Sequence, residues 1–327
     1  MTQALRTIVI GTSLTGASDD VVSAGVGIAR ATGATVWLLH ASSPYAVLPP
    51  FIHQDLVGSY AGLMELHQKQ LQEQMNDQLT RSGLSALAGF APEQARLTIG
   101  SPRREIVGLA RRVKADLIVV GATEAGPGAL GSTADRVIRK APCPVLVVRS
   151  AARFPPARVE IPVDLSPLSA SALRQSLGLL LPLGVQPAGI EVLFVLNPLE
   201  VGGSIHFEPH QVQRFAEQEL ERFVLENSGP GARPGSTRIA SGSPRRRILA
   251  VLAERKADLV VIGTHGRSGF ERFVLGSVAS EVLREAECNL LIVPPEPSLQ
   301  REANEEPREW ADWRFVSDET PLAAGTH

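Results

Sequence analysis

"KADLVVIGTHGRSGFERFVLGSVASEVLREAECNLLIV", residues 256–293, is the stretch whose reading decides the fold. It holds an apolar, β-branched run, "DLVVIG" (258–263), then a glycine-rich excursion through Gly266. Gly276-Ser277 opens a mixed segment of helical character, and a second apolar run, "NLLIV" (289–293), follows. Short uninterrupted apolar runs bounded by glycine fit strands covered on both faces of a parallel sheet. The same text occurs earlier in the chain. "KADLIVVG" (114–121) matches "KADLVVIG" (256–263), and "GSPRREI" (100–106) matches "GSPRRRI" (242–248), both at an offset of 142. "GSTADRVIRKAPCPVLVV" (131–148) parallels "GSVASEVLREAECNLLIV" (276–293) at an offset of 145, so the first copy of the loop is three residues shorter. A repeat of this length marks a tandem duplication.

Each half reads as alternating strands and helices. In the second half the strands are predicted at 158–163, 189–196, 237–240, 258–263 and 289–293, and in the first at 7–10, 35–40, 95–99, 116–120 and 145–148. Ser166-Pro167 and Ser243-Pro244 carry the pairing of an N-cap residue with proline at the first helical position. The first of these helices is expected to run to about Leu183, and a polar helix to cover 211–226. Alternation of this kind with right-handed crossovers gives an α/β fold: two tandem doubly wound, open parallel sheets of five strands each. Such sheets bind ligands beyond the carboxyl ends of the strands. The expected domains are 1–150 and 158–295, joined by the proline-bearing linker 151–157 and followed by a tail, 296–327. The tail has eight acids against three arginines, a local net charge of −5, yet holds Trp310, Trp313 and Phe315. Disorder and docking onto the body both fit it.

With 327 residues the chain can form two domains with real cores. A net charge of −2 gives no electrostatic reason to expect a nucleic acid or an anionic membrane. No basic segment followed by a long apolar core opens the sequence, and the greasiest run, near 177–185, is broken by Pro182. Two cysteines, Cys143 and Cys288, cannot build a disulfide framework and suit the cytoplasm. They sit at the entries of the final strands and read as inert. His206 and His210 lack a ligand set, with Pro209 between them, and do not read as a metal site. Met64 and Met75, in the long segment 54–79, read as packing. "GVGIAR" (25–30) falls inside a predicted helix and is not a dinucleotide fingerprint.

A strand ending in glycine, a glycine-rich loop and a Gly-Ser helix start make a workable anion cradle, because backbone amides and the positive end of the helix favour negative charge. Here Gly263 and Gly266 would shape one wall, and the Gly276, Ser277 and Val278 amides would meet phosphate oxygens. His265, Arg267 and Arg272 are candidate charge partners. A plain long loop capped by Ser277 is the alternative.

The spacing Gly263-x2-Gly266-x9-Gly276-Ser277 resembles the ATP-binding signature of the universal stress protein family. "EIPVDLSPLSASAL" (160–173) is similar to the family's opening block and "ADLVVIG" (257–263) to its fourth strand, and the likeness covers about 5–149 and 158–294. The resemblance implies an adenine-nucleotide-binding fold, with ATP as ligand and Mg2+ carried by the phosphates. By position it places Pro162, Asp164 and Leu196 at the adenine end, and Ile262, Gly263, His265 and Gly266 beside ribose and phosphates. Gly276, Ser277, Val278 and Ala279 fall at the phosphate-binding helix start. Asp164 has a helix-capping role as its alternative. Resemblance also implies that the halves pair through their final strands as a pseudo-dimer within the chain, with a homodimer as a further assembly.

The first half departs from the pattern. Glu124 stands where Gly266 stands, and Ser13 where Asp164 stands. A carboxylate facing phosphates in a crevice is unfavourable, so one nucleotide per chain is expected, in the second half. Three functions stay open: a nucleotide-dependent regulatory or stress-response factor acting on a partner the sequence does not name, a slow ATP hydrolase, and an interaction module with vestigial binding. No residue presents itself to position water, which disfavours dedicated catalysis.

Overall fold

The computed structural model describes residues 5–42, 57–122, 130–151, 154–197, 209–264 and 275–294, with 57–61, 63 and 209 as backbone only. The elements of the first half are β1 (Thr7–Gly11), α1 (Asp19–Thr32), β2 (Thr35–Ser42), α2 (Val57–Arg81), β3 (Ala95–Ile99), α3 (Pro102–Arg112), β4 (Leu117–Gly121), α4 (Ser132–Ile138) and β5 (Val145–Val148). The second half repeats them as β6 (Val159–Val163), α5 (Pro167–Leu180), β7 (Ile190–Leu196), α6 (Pro209–Asn227), β8 (Ser236–Ser241), α7 (Pro244–Arg255), β9 (Leu259–Gly263), α8 (Ser277–Glu285) and β10 (Asn289–Val293).

Local signals explain most boundaries. Ser166 accepts a hydrogen bond from the Ser169 N–H at 3.2 Å, as an N-cap should, with Pro167 at the first helical position. Helix α5 ends at Leu180, short of the expected Leu183, because Pro182 cannot extend it and the chain turns through Gly184 at φ +84°. Ser243 occupies the N-cap of α7 without a side-chain cap bond. The repeated "KADL" also has a structural use. Asp116 accepts the Arg6 and Thr7 amides (2.8 and 3.0 Å), and Asp258 accepts the Arg158 and Ala157 amides (2.8 and 3.1 Å). Each carboxylate thereby fixes the start of the first strand of its half.

The strands form one ten-stranded sheet, β3-β2-β1-β4-β5-β10-β9-β6-β7-β8. Pairing is parallel within each half and antiparallel only at the seam, where Leu290, Leu291 and Ile292 face Val147, Leu146 and Val145. One core lies between the sheet and α1, α2, α5 and α6, the other between the sheet and α3, α4, α7 and α8, and both run across the seam. A fully buried aliphatic side chain contributes about 1.5–3 kcal/mol. The four strands nearest the seam are apolar on both faces except for the buried Asn289 of β10, which makes the two halves one body.

Candidate nucleotide site

The carboxyl ends of β6 and β9 bound the crevice in the second half. These strands pair only at Val159/Leu259 and Glu160/Val260, whereas β1 and β4 stay paired one step further, through Ile10/Val119. The difference coincides with Pro162, which has no N–H for a ladder and stands where the first half has Gly11. Beyond it the chain turns through Leu165 at φ +61°, and its counterpart Leu14 has φ +64°. A leucine in the left-handed region is costly, by about 1–2 kcal/mol, and its presence in both copies shows that this turn belongs to the scaffold. Asp164 accepts the Ser166 N–H at 3.0 Å across that turn, which orients the carboxylate, while the helix cap expected as its alternative role is made by Ser166.

On the other wall, the Thr264 N–H donates to Val293 O at 3.1 Å, and the Gly276 N–H donates to Thr264 O at 3.0 Å. The loop is thus closed at its base, immediately ahead of α8. The first copy closes the same way, with Ala122 N–H on Val148 O and Gly131 N–H on Ala122 O. Thr264 went unnoticed in the sequence, since its part is played by backbone atoms that any residue carries. Gly276 is the N-cap of α8, with φ −54° and ψ 152°, and no side chain caps the helix. Among the described residues, a Cβ there would meet nothing nearer than Thr264 O, at 3.8 Å. Neither the backbone conformation nor packing among the described residues calls for glycine there. The first-turn amides of a helix have no intrahelical acceptor, and α8 has no acid in its first turn. In α4 the first turn holds Asp135, paired with Arg139 at 3.0 Å.

The structure gathers Pro162, Asp164, Leu196, Ile262 and Gly263 at the carboxyl ends of β6, β7 and β9, and Gly276, Ser277, Val278 and Ala279 at the start of α8. Ser277 is exposed, but the Ala279 and Ile262 side chains are buried in the core beneath α8. What Ala279 can offer a ligand is its amide. His265, Gly266, Arg267, Arg272 and Glu124 lie outside the described residues, as do His206 and the Trp310/Trp313 segment.

In the first half the end of β1 is polar where that of β6 is apolar. The Thr12 hydroxyl donates to Gln78 Oε1 at 2.6 Å, and Gln78 Nε2 donates to Asp19 Oδ1 at 3.1 Å. Arg81 completes the chain through its ion pair with Asp19 (3.0 Å) and holds that carboxyl below its usual range. Gln78 is fully buried, while every buried side chain described on α6 is apolar. His40 Nδ1 lies 2.9 Å from Thr12 O, and burial lowers its pKa. Ser13, the counterpart of Asp164, is bonded to Thr15 and Ser18 (both 2.8 Å).

Other candidates resolve more simply. Arg245, in the repeated Gly-Ser-Pro-Arg stretch that opens α7, pairs with Glu281 at 2.9 Å. Burial pushes Cys288 up to about 11 and Cys143 higher still. Met75 is fully buried and Met64 half-buried. Among the described residues no cluster of histidine, cysteine and acidic side chains could hold a metal ion, and no helix is long and apolar enough to cross a membrane.

The universal stress protein family model matches the chain twice, over residues 4–149 and 157–294. A protein of Staphylococcus aureus (strain USA300), provisionally named a universal stress protein, is 32% identical over 120 residues, spanning 35% of this chain and 72% of its own. Among solved structures, a functionally unknown protein from Pseudomonas aeruginosa PAO1 aligns with TM-score 0.61 and 18% identity, over 91% of this chain and 96% of that one. A universal stress protein from Archaeoglobus fulgidus aligns with TM-score 0.55 and 15% identity, over 90% and 97%. These likenesses concern the fold, and the two matches of the family model decide membership: the chain belongs to the universal stress protein family, as two family domains in tandem.

Proposed function

We propose that this protein binds one adenine nucleotide per chain, ATP, in the second half, and that occupancy regulates its conformation or its choice of partner. The observation that carries the reading is the start of α8. Among the described residues, a helix N-terminus with no capping side chain and no acid in its first turn stands beside a parted strand pair, behind a glycine that no described neighbour requires. Phosphate oxygens would accept from the Gly276, Ser277, Val278 and Ala279 amides, with Gly263, His265 and Gly266 flanking ribose and phosphates. Asp164, poised by its bond to the Ser166 N–H, would accept from an adenine or ribose donor near Pro162, Leu196 and Ile262. Mg2+ would come with the phosphates. The preference for the second half is supported by Glu124 in the shorter loop and by the Thr12–Gln78–Asp19 network beside the first crevice.

The test is to denature purified protein and chromatograph the released small molecules, for the native sequence and for Gly266→Glu, which copies the first half. Adenine nucleotide should be released from the native protein and be strongly reduced in the variant. Equal content in both, or two equivalents bound per chain in calorimetry, would overturn the assignment.

A further inference from the structure

We infer that Arg149, at the end of the first half, is a positioning residue for the phosphate-binding helix of the second. Its guanidinium crosses the seam: Nη2 donates to Leu283 O at 2.5 Å and reaches Arg284 O at 3.4 Å, both in the last turn of α8. The backbone beside it is held as well. Asn289 Oδ1 accepts the Arg149 N–H at 2.8 Å and the Ser150 N–H at 3.4 Å, and Asn289 Nδ2 donates to Asp258 O at 3.4 Å. A cation at the carboxyl end of a helix satisfies orphan carbonyls and complements the dipole. Helix α8 has nine residues, so at 1.5 Å per residue it is a stiff rod of about 13 Å. Fixing one end of so short a rod fixes the aim of the amides at the other.

The clamp works in one direction. Across the duplication Arg149 corresponds to Pro294, and Asn289 to Pro144. Proline has neither a side-chain donor nor an N–H, so the second half cannot return this bond to α4. The first half therefore braces the helix that faces the proposed ligand, and its own helix receives no such brace.

This inference rests on the nucleotide reading, and the experiment separates the two. Calorimetry with ATP and with adenosine would compare the native protein with Arg149→Met and Arg149→Lys, alongside hydrogen exchange of the 277–285 amides. A coupling of the usual size predicts a loss in ATP affinity of about five- to tenfold in Arg149→Met, a smaller loss in Arg149→Lys, and adenosine affinity within about twofold of native. Exchange of the hydrogen-bonded α8 amides, 280–285, should quicken in Arg149→Met. Equal losses for ATP and adenosine would reduce Arg149 to general support of the seam and overturn the inference, as would no loss for either. If the native protein binds no ATP, the proposed function fails. Hydrogen exchange still decides this inference, since unchanged exchange at 280–285, the α8 amides that have intrahelical acceptors, would sink it. Should Arg149→Met fail to fold, Arg149→Gln carries the same comparison.

Discussion

Exchanging one buried ion pair for its counterpart in the other half should change how stability depends on pH. In the second half Glu160 of β6 is fully buried and receives Arg255 Nη1 at 2.6 Å, while its Oε1 has no hydrogen-bond partner. Arg255 also lies 3.6 Å from Glu191, which keeps Arg238 at 2.7 Å and the Ser236 hydroxyl at 3.0 Å. The counterparts of Glu160 and Arg255 are Val9 and Val113, and at the counterparts of Glu191 and Arg238 the Arg96 guanidinium lies over the Trp37 ring at 5.1 Å. Burial pushes Glu160 up to about 7, more than Arg255 offsets. A carboxyl raised on folding favours the folded state while it is protonated, and that contribution is lost as pH rises through about 7. At about 1.4 kcal/mol per pH unit the loss amounts to about 3 kcal/mol between pH 4.5 and 8. Glu160→Val/Arg255→Val removes both charges. It should abolish this pH dependence and, at pH 8, be as stable as the native protein or more so, by up to about 4 kcal/mol. Arg255→Val alone strands the carboxylate and should cost about 3–5 kcal/mol at pH 8, less at pH 5. Urea titrations at both pH values on all three proteins provide the measurement. Parallel pH profiles for the native and doubly substituted proteins would refute the reasoning.

The polar network in the first half should respond as a unit. Gln78→Ala leaves the Thr12 O–H without its acceptor and should cost roughly 1–3 kcal/mol in a urea titration, and Thr12→Val/Gln78→Met should recover only part of it, because the buried Leu14 N–H then loses Thr12 Oγ1 at 3.0 Å. Cys143 and Cys288, both pushed well above the ordinary thiol range by burial, should resist a thiol-specific disulfide reagent at pH 7.5 until the protein unfolds. Labelling of either within a minute in native buffer would contradict that placement.

The sequence by itself determined the duplication and the ten strands. Apolar runs, Ser-Pro caps and glycine spacing act within a few residues of where they are written. What it left unread depends on contacts between distant segments. Glu160 alternates with Val159, Ile161 and Val163, a pattern that puts glutamate in solvent when a sheet has an open face. This sheet has helices on both faces, so the same alternation drives Glu160 under α7, where Arg255 meets it 95 residues later. Gln78 reaches Thr12 across 66 residues because α2 lies over the end of β1, and nothing near either residue announces it. Pro162 was placed at the adenine end by resemblance alone, and the early parting of β6 from β9 became visible only once their register was known. The seam was an expectation drawn from resemblance. Tertiary structure supplied its register, Leu291 opposite Leu146, and with it the reach of Arg149 to α8. Strand pairing between residues about 145 apart leaves no local trace, because either final strand is simply a buried apolar run until its partner is in place.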